Sequence, residues 1–168
     1  MHRPHIGDLS EILYTATTGM YSLRPATDDD FGFLHELFVA TMQSSIIEFW
    51  GTWDQDRWDT FFREHFNASL YQIVLVGGQA VGALSVERRT HEIYLDTVEI
   101  DPNYQGRGLG TALIRTVLAD AFTHHLPVTL QVNRANRSRD LYQRLGFTET
   151  GRTDTHILMR ASPHDTER

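Results

Sequence analysis

Gly106, Gly108 and Gly110 alternate within Gln105-Gly106-Arg107-Gly108-Leu109-Gly110-Thr111, between a strand candidate ending at Ile100 and an amphipathic helix. A strand, a glycine turn and a helix amino terminus together make a cradle for an anion. The first helical N–H groups have no intrahelical acceptor, the helix dipole adds partial positive charge, and glycine lets a phosphate come close to the backbone. Arg107 adds a cation. The dinucleotide fingerprint requires glycine at its first, third and sixth positions in the first βα unit of the chain; counted from Gly106, the sixth position is Thr111, and the unit is not the first. The nucleoside-triphosphate loop ends in Gly-Lys-Ser/Thr, which is absent here. A glycine-rich turn that holds no ligand is the plain alternative.

Carboxylates come next. On the strand Glu92 to Ile100, period-two alternation puts Tyr94, Asp96, Val98 and Ile100 on one face and Ile93, Leu95, Thr97 and Glu99 on the other, so each face carries an acid. A bulge would shift that register. The chain has no cysteine, which excludes disulfides, thiolate-bound zinc and passage of a group through an enzyme thiol. His35-Glu36 has Val39 where a zinc-protease motif needs its second histidine. His2 and His5 lack a third ligand, so no metal is expected. His124-His125 ends a helix, where imidazoles suit the dipole. Asn67-Ala68-Ser69 has the form of a glycosylation acceptor but reads as a helix-to-strand junction.

The elements that must position these residues follow from periodicity. Tyr21 to Pro25 is the first strand. Thr27 followed by Asp28, Asp29 and Asp30 starts a helix carrying Phe31, Leu34, Leu37, Phe38 and Met42 at helical spacing. Ser44 to Gln55 breaks the pattern and exposes Glu48, Trp50, Trp53 and Asp54. A second helix places Trp58, Phe61, Phe62 and Phe66 on one side. Leu70 to Val76 and Ala80 to Val86, joined at Gly77-Gly78-Gln79, form a hairpin. Thr111 to His124 has the broad apolar stripe of a helix packed on a sheet. Val128, Leu130 and Val132 alternate as a strand, Ser138 to Leu145 is a short helix stopped by Gly146, and strands follow near Phe147–Thr150 and His156–Met159. The order is β-α-α-β-β-β-α-β-α-β-β. It predicts an α/β (α+β) fold with a mixed central sheet of six to seven strands and helices on both faces.

With 168 residues, the chain is expected to form one domain, over 21–160, with an extension at 1–20 and a tail at 161–168. Hydrophobic residues make up 40% and charged residues 22%, which suits a folded interior. The net charge of −7 repels phosphate backbones, so no nucleic-acid partner is expected. No signal-peptide core precedes Met20 and no run of about 18 apolar residues occurs, so the expectation is a cytoplasmic protein without a membrane partner.

Val98-Glu99-Ile100-Asp101-Pro102 leading into the glycine run, then Asn136 ahead of Leu141-Tyr142-Gln143-Arg144-Leu145-Gly146-Phe147, resembles the GNAT superfamily of acyl-CoA-dependent N-acyltransferases. The element order resembles the family domain over roughly Tyr21 to Arg160, and the motif-grade part is Tyr94 to Phe147. The resemblance implies acetyl-CoA as co-substrate, its pyrophosphate on the N–H groups of Gln105, Gly106, Arg107, Gly108, Leu109, Gly110 and Thr111. It implies a pantetheine arm paired along Val98, Glu99 and Ile100, where the central strand splays from Val128–Asn133. Backbone N–H groups in such an opening can face a thioester oxygen.

By the same resemblance an amine attacks the thioester directly in a ternary complex. An alkyl ammonium has a pKa of roughly 10, so it must lose a proton to a base or a water relay. Asp96 falls where several family members place a carboxylate, and a relay of water to Asp96 is the expected route; Glu99 is the other acid on the strand. Tyr142 matches the family tyrosine near the sulfur, an acid for the leaving thiolate, or else is a core aromatic. Asn136 matches a residue that meets pantetheine or caps the helix. Glu48, Trp50, Trp53 and Asp54 are acidic and aromatic groups suited to a cationic amine, although the tryptophans equally suit a roof over the core. The expected reaction is N-acetylation of an amine-bearing small molecule or peptide, with a homodimer among the states the family adopts. The alternative is a non-catalytic module that binds or senses acyl-CoA. An acyltransferase acting on charged tRNA should carry a basic surface, contrary to the net charge.

Overall fold

The computed structural model describes residues 20–166. The extension read before Met20, with its His2 and His5, lies outside the described residues. The chain order is β1 (Ser22–Pro25), α1 (Phe31–Trp50), α2 (Gln55–His65), β2 (Gln72–Val76), β3 (Gln79–Arg88), β4 (Ile93–Ile100), α3 (Leu109–Thr123), β5 (Val128–Asn133), α4 (Arg139–Arg144), β6 (Thr148–Arg152) and β7 (His156–Ala161). The strands form one seven-stranded sheet in the order β1-β2-β3-β4-β5-β7-β6. Every neighbouring pair is antiparallel except β4 and β5.

Each face of the sheet is covered. Leu113, Ile114, Val117 and Ala121 of α3 bury against Val74, Leu84, Leu95 and Val128 on one side. On the other, Leu34 and Leu37 of α1 and Phe62 of α2 close over Ile73 and Ala83. The stripe of α3 at i, i+4 and i+8 is what makes such a layer. Ahead of α1, the Asp30 carboxylate takes two 2.8 Å hydrogen bonds from Arg24 and a third from the Thr27 N–H. The Arg24 guanidinium holds Asp30 below the usual carboxylate range.

Three sequence expectations shift. Helix α1 does not stop near Ser44 but continues to Trp50, where Gly51 takes φ +80° and closes it. The break expected over Ser44–Gln55 shrinks to Gly51–Asp54, because residues 44–50 contain no glycine or proline to end a helix already paid for by its buried first turns. Helix α3 begins at Leu109 rather than Thr111, so Gly110 and Thr111 lie within its first turn. Most consequential, β3 and β4 slip register between Ser85 and Val86: Ser85 pairs with Thr97 and Val86 with Leu95, leaving Asp96 as the extra residue of a bulge. Alternation therefore resets. Val98 and Ile100, opposite Leu84 and Gly82, share the α3 face with Ile93 and Leu95, while Glu99 lies opposite Ala83 on the α1 face. Asp96 does not share the face of Val98 and Ile100, as strict alternation had it.

The parallel seam is short. Ile93 pairs with Val128 and Tyr94 with Thr129, and no pairing follows between the remainder of β4 and β5. The sheet opens there.

Candidate functional site

A cleft of about 350 Å³ lies where the sheet opens. Val98 and Ile100 of β4 form one wall, the turn through Gln105, Gly106 and Gly108 and the first turn of α3 form its end, and α4 closes it with Ser138, Leu141 and Tyr142. The backbone direction of β4 follows from a single bond: Asp101 N–H donates to Val81 O at 2.8 Å. Antiparallel strands turn alternate residues toward and away from a partner, so the polar groups of Ile100 and Val98 face the β5 side. Accordingly, the Ile100 carbonyl accepts from Gln105 Nε2 at 2.8 Å.

The glycine turn is built for close approach. Gly106 and Gly108 adopt φ +74° and +84°, the left-handed region that costs an L side chain about 1–2 kcal/mol. Gly108 is the N-cap of α3, and the first intrahelical bond there runs from Ala112 N–H to Gly108 O at 3.0 Å. The N–H groups of Leu109, Gly110 and Thr111 precede that bond and have no intrahelical acceptor. A Cβ on Gly106, Gly108 or Gly110 meets no protein atom within 4 Å, so the space over these amides is open to a ligand. Arg107 is exposed beside the cleft, its guanidinium 5.0 Å over the Tyr104 ring. Open amides at a helix start, flanked by an arginine, fit a pyrophosphate.

Tyr142 lies on the cleft wall and packs edge-on against Phe147 with ring centroids 5.7 Å apart. Burial pushes its phenol up to about 12, so it carries its proton at neutral pH. Asn136 does not line the cleft; its side-chain oxygen accepts from Ser138 N–H at 2.9 Å, shaping the turn into α4.

The acids lie on the other face. Burial, and then the charge of Asp96, push Glu99 up to about 7. Tyr71, at the entry to β2, rises to about 12 through burial and the charges of Asp96 and Glu99, and Tyr94 rises through burial and Asp96. Asp96 is exposed and accepts from Thr97 Oγ1 at 3.1 Å. Asp96, Glu99, Tyr71 and Tyr94 therefore form one electrostatic group on the α1 side of the open seam.

The aromatic residues expected around an acceptor divide. Trp53 stacks on Trp58 at 5.6 Å and donates to Gln55 Oε1, which makes it part of the packing between α1 and α2. Asp54 caps α2 by accepting from Arg57 N–H. Trp50 is 58% exposed at the end of α1, and Glu48 is exposed on the same helix. None of these four lines the cleft.

Sequence reasoning did not single out Tyr104, Ile114, Ser138, Leu141, Arg144 or Tyr71. The apolar ones lie inside helical stripes and look like core, and Tyr71 gains its place only through cross-strand neighbours. Arg144 stood two residues after Tyr142 as a signal that could have been read.

The family model described as Acetyltransferase (GNAT) family matches residues 33–147. The chain is 35% identical over 85 residues to N-acetyltransferase 8B of Homo sapiens, covering 48% of this chain and 37% of that protein. It is 28% identical over 94 residues to N-acetylaspartate synthetase of Xenopus tropicalis, covering 54% and 35%. The aligned segment thus spans little more than a third of those proteins. The fold superposes on the PaiA N-acetyltransferase from Thermoplasma acidophilum in complex with coenzyme A, with a TM-score of 0.69 at 15% identity over 84% of this chain and 98% of that one. It also superposes on the ribosomal-protein-S18-alanine N-acetyltransferase from Escherichia coli, with a TM-score of 0.60 at 20% identity over 85% and 94%. At such identities the likeness is one of fold.

Proposed function

The chain belongs to the acetyltransferase (GNAT) family, and from that premise we propose that it transfers an acetyl group from acetyl-CoA to a primary amine of a small molecule or peptide. The observation that carries this reading is the cleft, which joins the open amides of Leu109, Gly110 and Thr111 to the protonated phenol of Tyr142. The amides and Arg107 would hold the pyrophosphate. Val98 and Ile100, with polar groups turned toward the seam, would pair with the pantetheine arm. Acetyl-CoA supplies the activated acyl group; the protein supplies orientation and proton transfers.

The open seam makes the reaction geometrically reasonable, because a group lying between β4 and β5 is reachable from both faces of the sheet. The amine would enter from the α1 side, past Asp96 and Glu99. Glu99, with a proton affinity near neutrality, takes the ammonium proton directly or through one water. Asp96 raises that affinity and attracts the cation. As the C–N bond forms and the C–S bond breaks, Tyr142 Oη–H protonates the departing sulfur, and the second proton shed by the attacking nitrogen returns through water to the Tyr142 phenolate, giving an N-acetyl amine and free CoA. The proton-acceptor role expected of Asp96 thus passes to Glu99.

The test is incubation with acetyl-CoA and a panel of primary amines, following thiol release. Saturable release that requires one amine, and falls roughly 100-fold in Tyr142→Phe with CoA affinity retained, is the expected result. CoA binding with no amine acylated would replace this reading by a binding module.

A further inference from the structure

Gly82 lies buried inside β3, where a glycine weakens a strand and brings no side chain to the core. Its φ is not positive, so no turn or left-handed conformation calls for it. The neighbouring backbone does. A Cβ on Gly82 would lie 2.6 Å from the Glu99 carbonyl oxygen and 2.9 Å from Ile100 Cδ1. The Ile100 methyl ends a flexible side chain and can turn aside, but the Glu99 carbonyl is main chain. Close carbon–oxygen contacts between adjacent strands are about 3.3–3.6 Å, so β4 could yield only by moving its backbone at Glu99 by roughly 0.7 Å or more.

The surroundings decide where that movement goes. Gly82 pairs with Val74 on one side and Ile100 on the other, next to Val81, the extra residue of a bulge in the β2–β3 ladder. Just beyond Glu99 the strand is pinned, by Asp101 N–H on the Val81 carbonyl and by Gln105 Nε2 on the Ile100 carbonyl, both at 2.8 Å. On the other side of β4 no strand resists, because its pairing with β5 ends at Tyr94 and Thr129. A side chain at position 82 would therefore drive Glu99 outward, into the open seam.

Resting on the reading of Glu99 as the proton acceptor, we propose that Gly82 is a positioning residue for acetyl transfer: having no side chain, it lets the Glu99 backbone lie against β3 and so sets where the Glu99 carboxylate meets the amine. Gly82 does not itself line the cleft; it acts through Glu99. A misplacement of about 1 Å at a reacting group can cost about 100-fold in rate. The plain competitor is a glycine that serves sheet packing alone, whose replacement would lower stability and nothing else.

Gly82→Ala is compared with the parent and with Leu118→Ala, a truncation of a buried residue in the second half of α3. Two quantities are measured below the melting temperature of each protein: the titration of the Glu99 carboxyl by NMR, its signal assigned with Glu99→Gln, and the pH profile of kcat/KM for an acetylated amine. Asp96 on β4 and Tyr71 beside β2, the titratable groups that face Glu99, stay in place throughout. In Gly82→Ala the titration, near pH 7 in the parent, should move to lower pH as the carboxyl gains solvent in the seam. The acid limb of kcat/KM should move with it, and kcat/KM should fall roughly tenfold or more. Leu118→Ala should melt below the parent and keep both. An unmoved titration or an unchanged kcat/KM in Gly82→Ala, or an equal movement in Leu118→Ala, would overturn the assignment while leaving acetyl transfer standing. So would failure of Gly82→Ala to fold even together with Gly32→Ala, which adds a helix-favouring residue to α1 where nothing lies within 4 Å. A parent that acetylates no amine would remove the role in acetyl transfer together with the reading it rests on, and a titration that still moves in Gly82→Ala would tell that outcome apart.

Discussion

Glu99 is the residue on which the proposed chemistry turns, and its environment sets a pH dependence. A base must be deprotonated to work, so the rate should fall as pH drops through about 7. Asp96 is one of the two causes of that elevation, and Asp96→Asn should move the limb to lower pH while Glu99→Gln lowers kcat/KM by 10² or more. A full pH profile of kcat/KM in the three proteins checks this; a limb that stays in place in Asp96→Asn would detach the two acids. Stability should run the other way. The folded state holds the Glu99 proton more tightly than the unfolded chain does, so this group's contribution is complete well below pH 4.5 and is lost as pH rises through about 7. Glu99→Gln should accordingly melt at a higher temperature than the parent above pH 7, a gain in stability made at the cost of activity. Sequence alternation identified both acids but put them on opposite faces, whereas the register slip brings both to the α1 side. The bulge lies opposite Ser85 and Val86 of the neighbouring strand, and nothing within β4 announces it.

The start of α3 separates fold from binding at the level of the element. Gly108 sits at φ +84°, whereas Gly110 has no positive φ and lies in the first helical turn. Gly108→Ala should therefore cost about 1–2 kcal/mol of stability. Gly110→Ala should gain up to about 1 kcal/mol, as alanine does over glycine in a helix. Both add a methyl group where no protein atom lies within 4 Å, over the amides of the cleft, so both should weaken CoA binding. Melting curves and CoA titrations of the pair test this, and a Gly110→Ala protein that binds CoA as the parent does would show that the glycine serves the helix alone. The glycine spacing was readable as a cradle because three alternate glycines have few other uses ahead of an amphipathic helix. The true helix start was not, because Leu109 is consistent with either loop or helix until its side chain is seen buried at 4% exposure beneath the turn. For the same reason, the extent of α1 escaped: Ile46 buries at 3%, a tertiary contact that carries the helix past the point where its apolar period blurs.

At the scale of the whole molecule, the order of strands and helices was legible from hydrophobic periodicity, whereas the shortness of the β4–β5 seam was not. Both strands have ordinary apolar patterns, and their divergence after Tyr94 and Thr129 depends on how the bulge at Asp96 redirects β4. The sheet consequently consists of an antiparallel unit from β1 to β4 and another from β5 to β7, joined by a brief parallel contact and by α3 packing across one face. A ligand that hydrogen-bonds along Val98 and Ile100 while touching α4 would stitch these units together. Saturating CoA, at roughly 100 times its dissociation constant, should stabilise the protein by about 2.7 kcal/mol, a rise of about 5–10 °C in Tm for a domain of this size. The location of the effect is the sharper test. Amide exchange should slow at Val98, Ile100 and Gly108 to Thr111, where the ligand supplies acceptors, and along Leu130 to Asn133, where it limits separation of the two units. It should be nearly unchanged in α2, whose core lies on the opposite face. Protection centred on α2 instead, with the seam exchanging as before, would place CoA on the wrong side of the sheet and separate the glycine turn from the reaction.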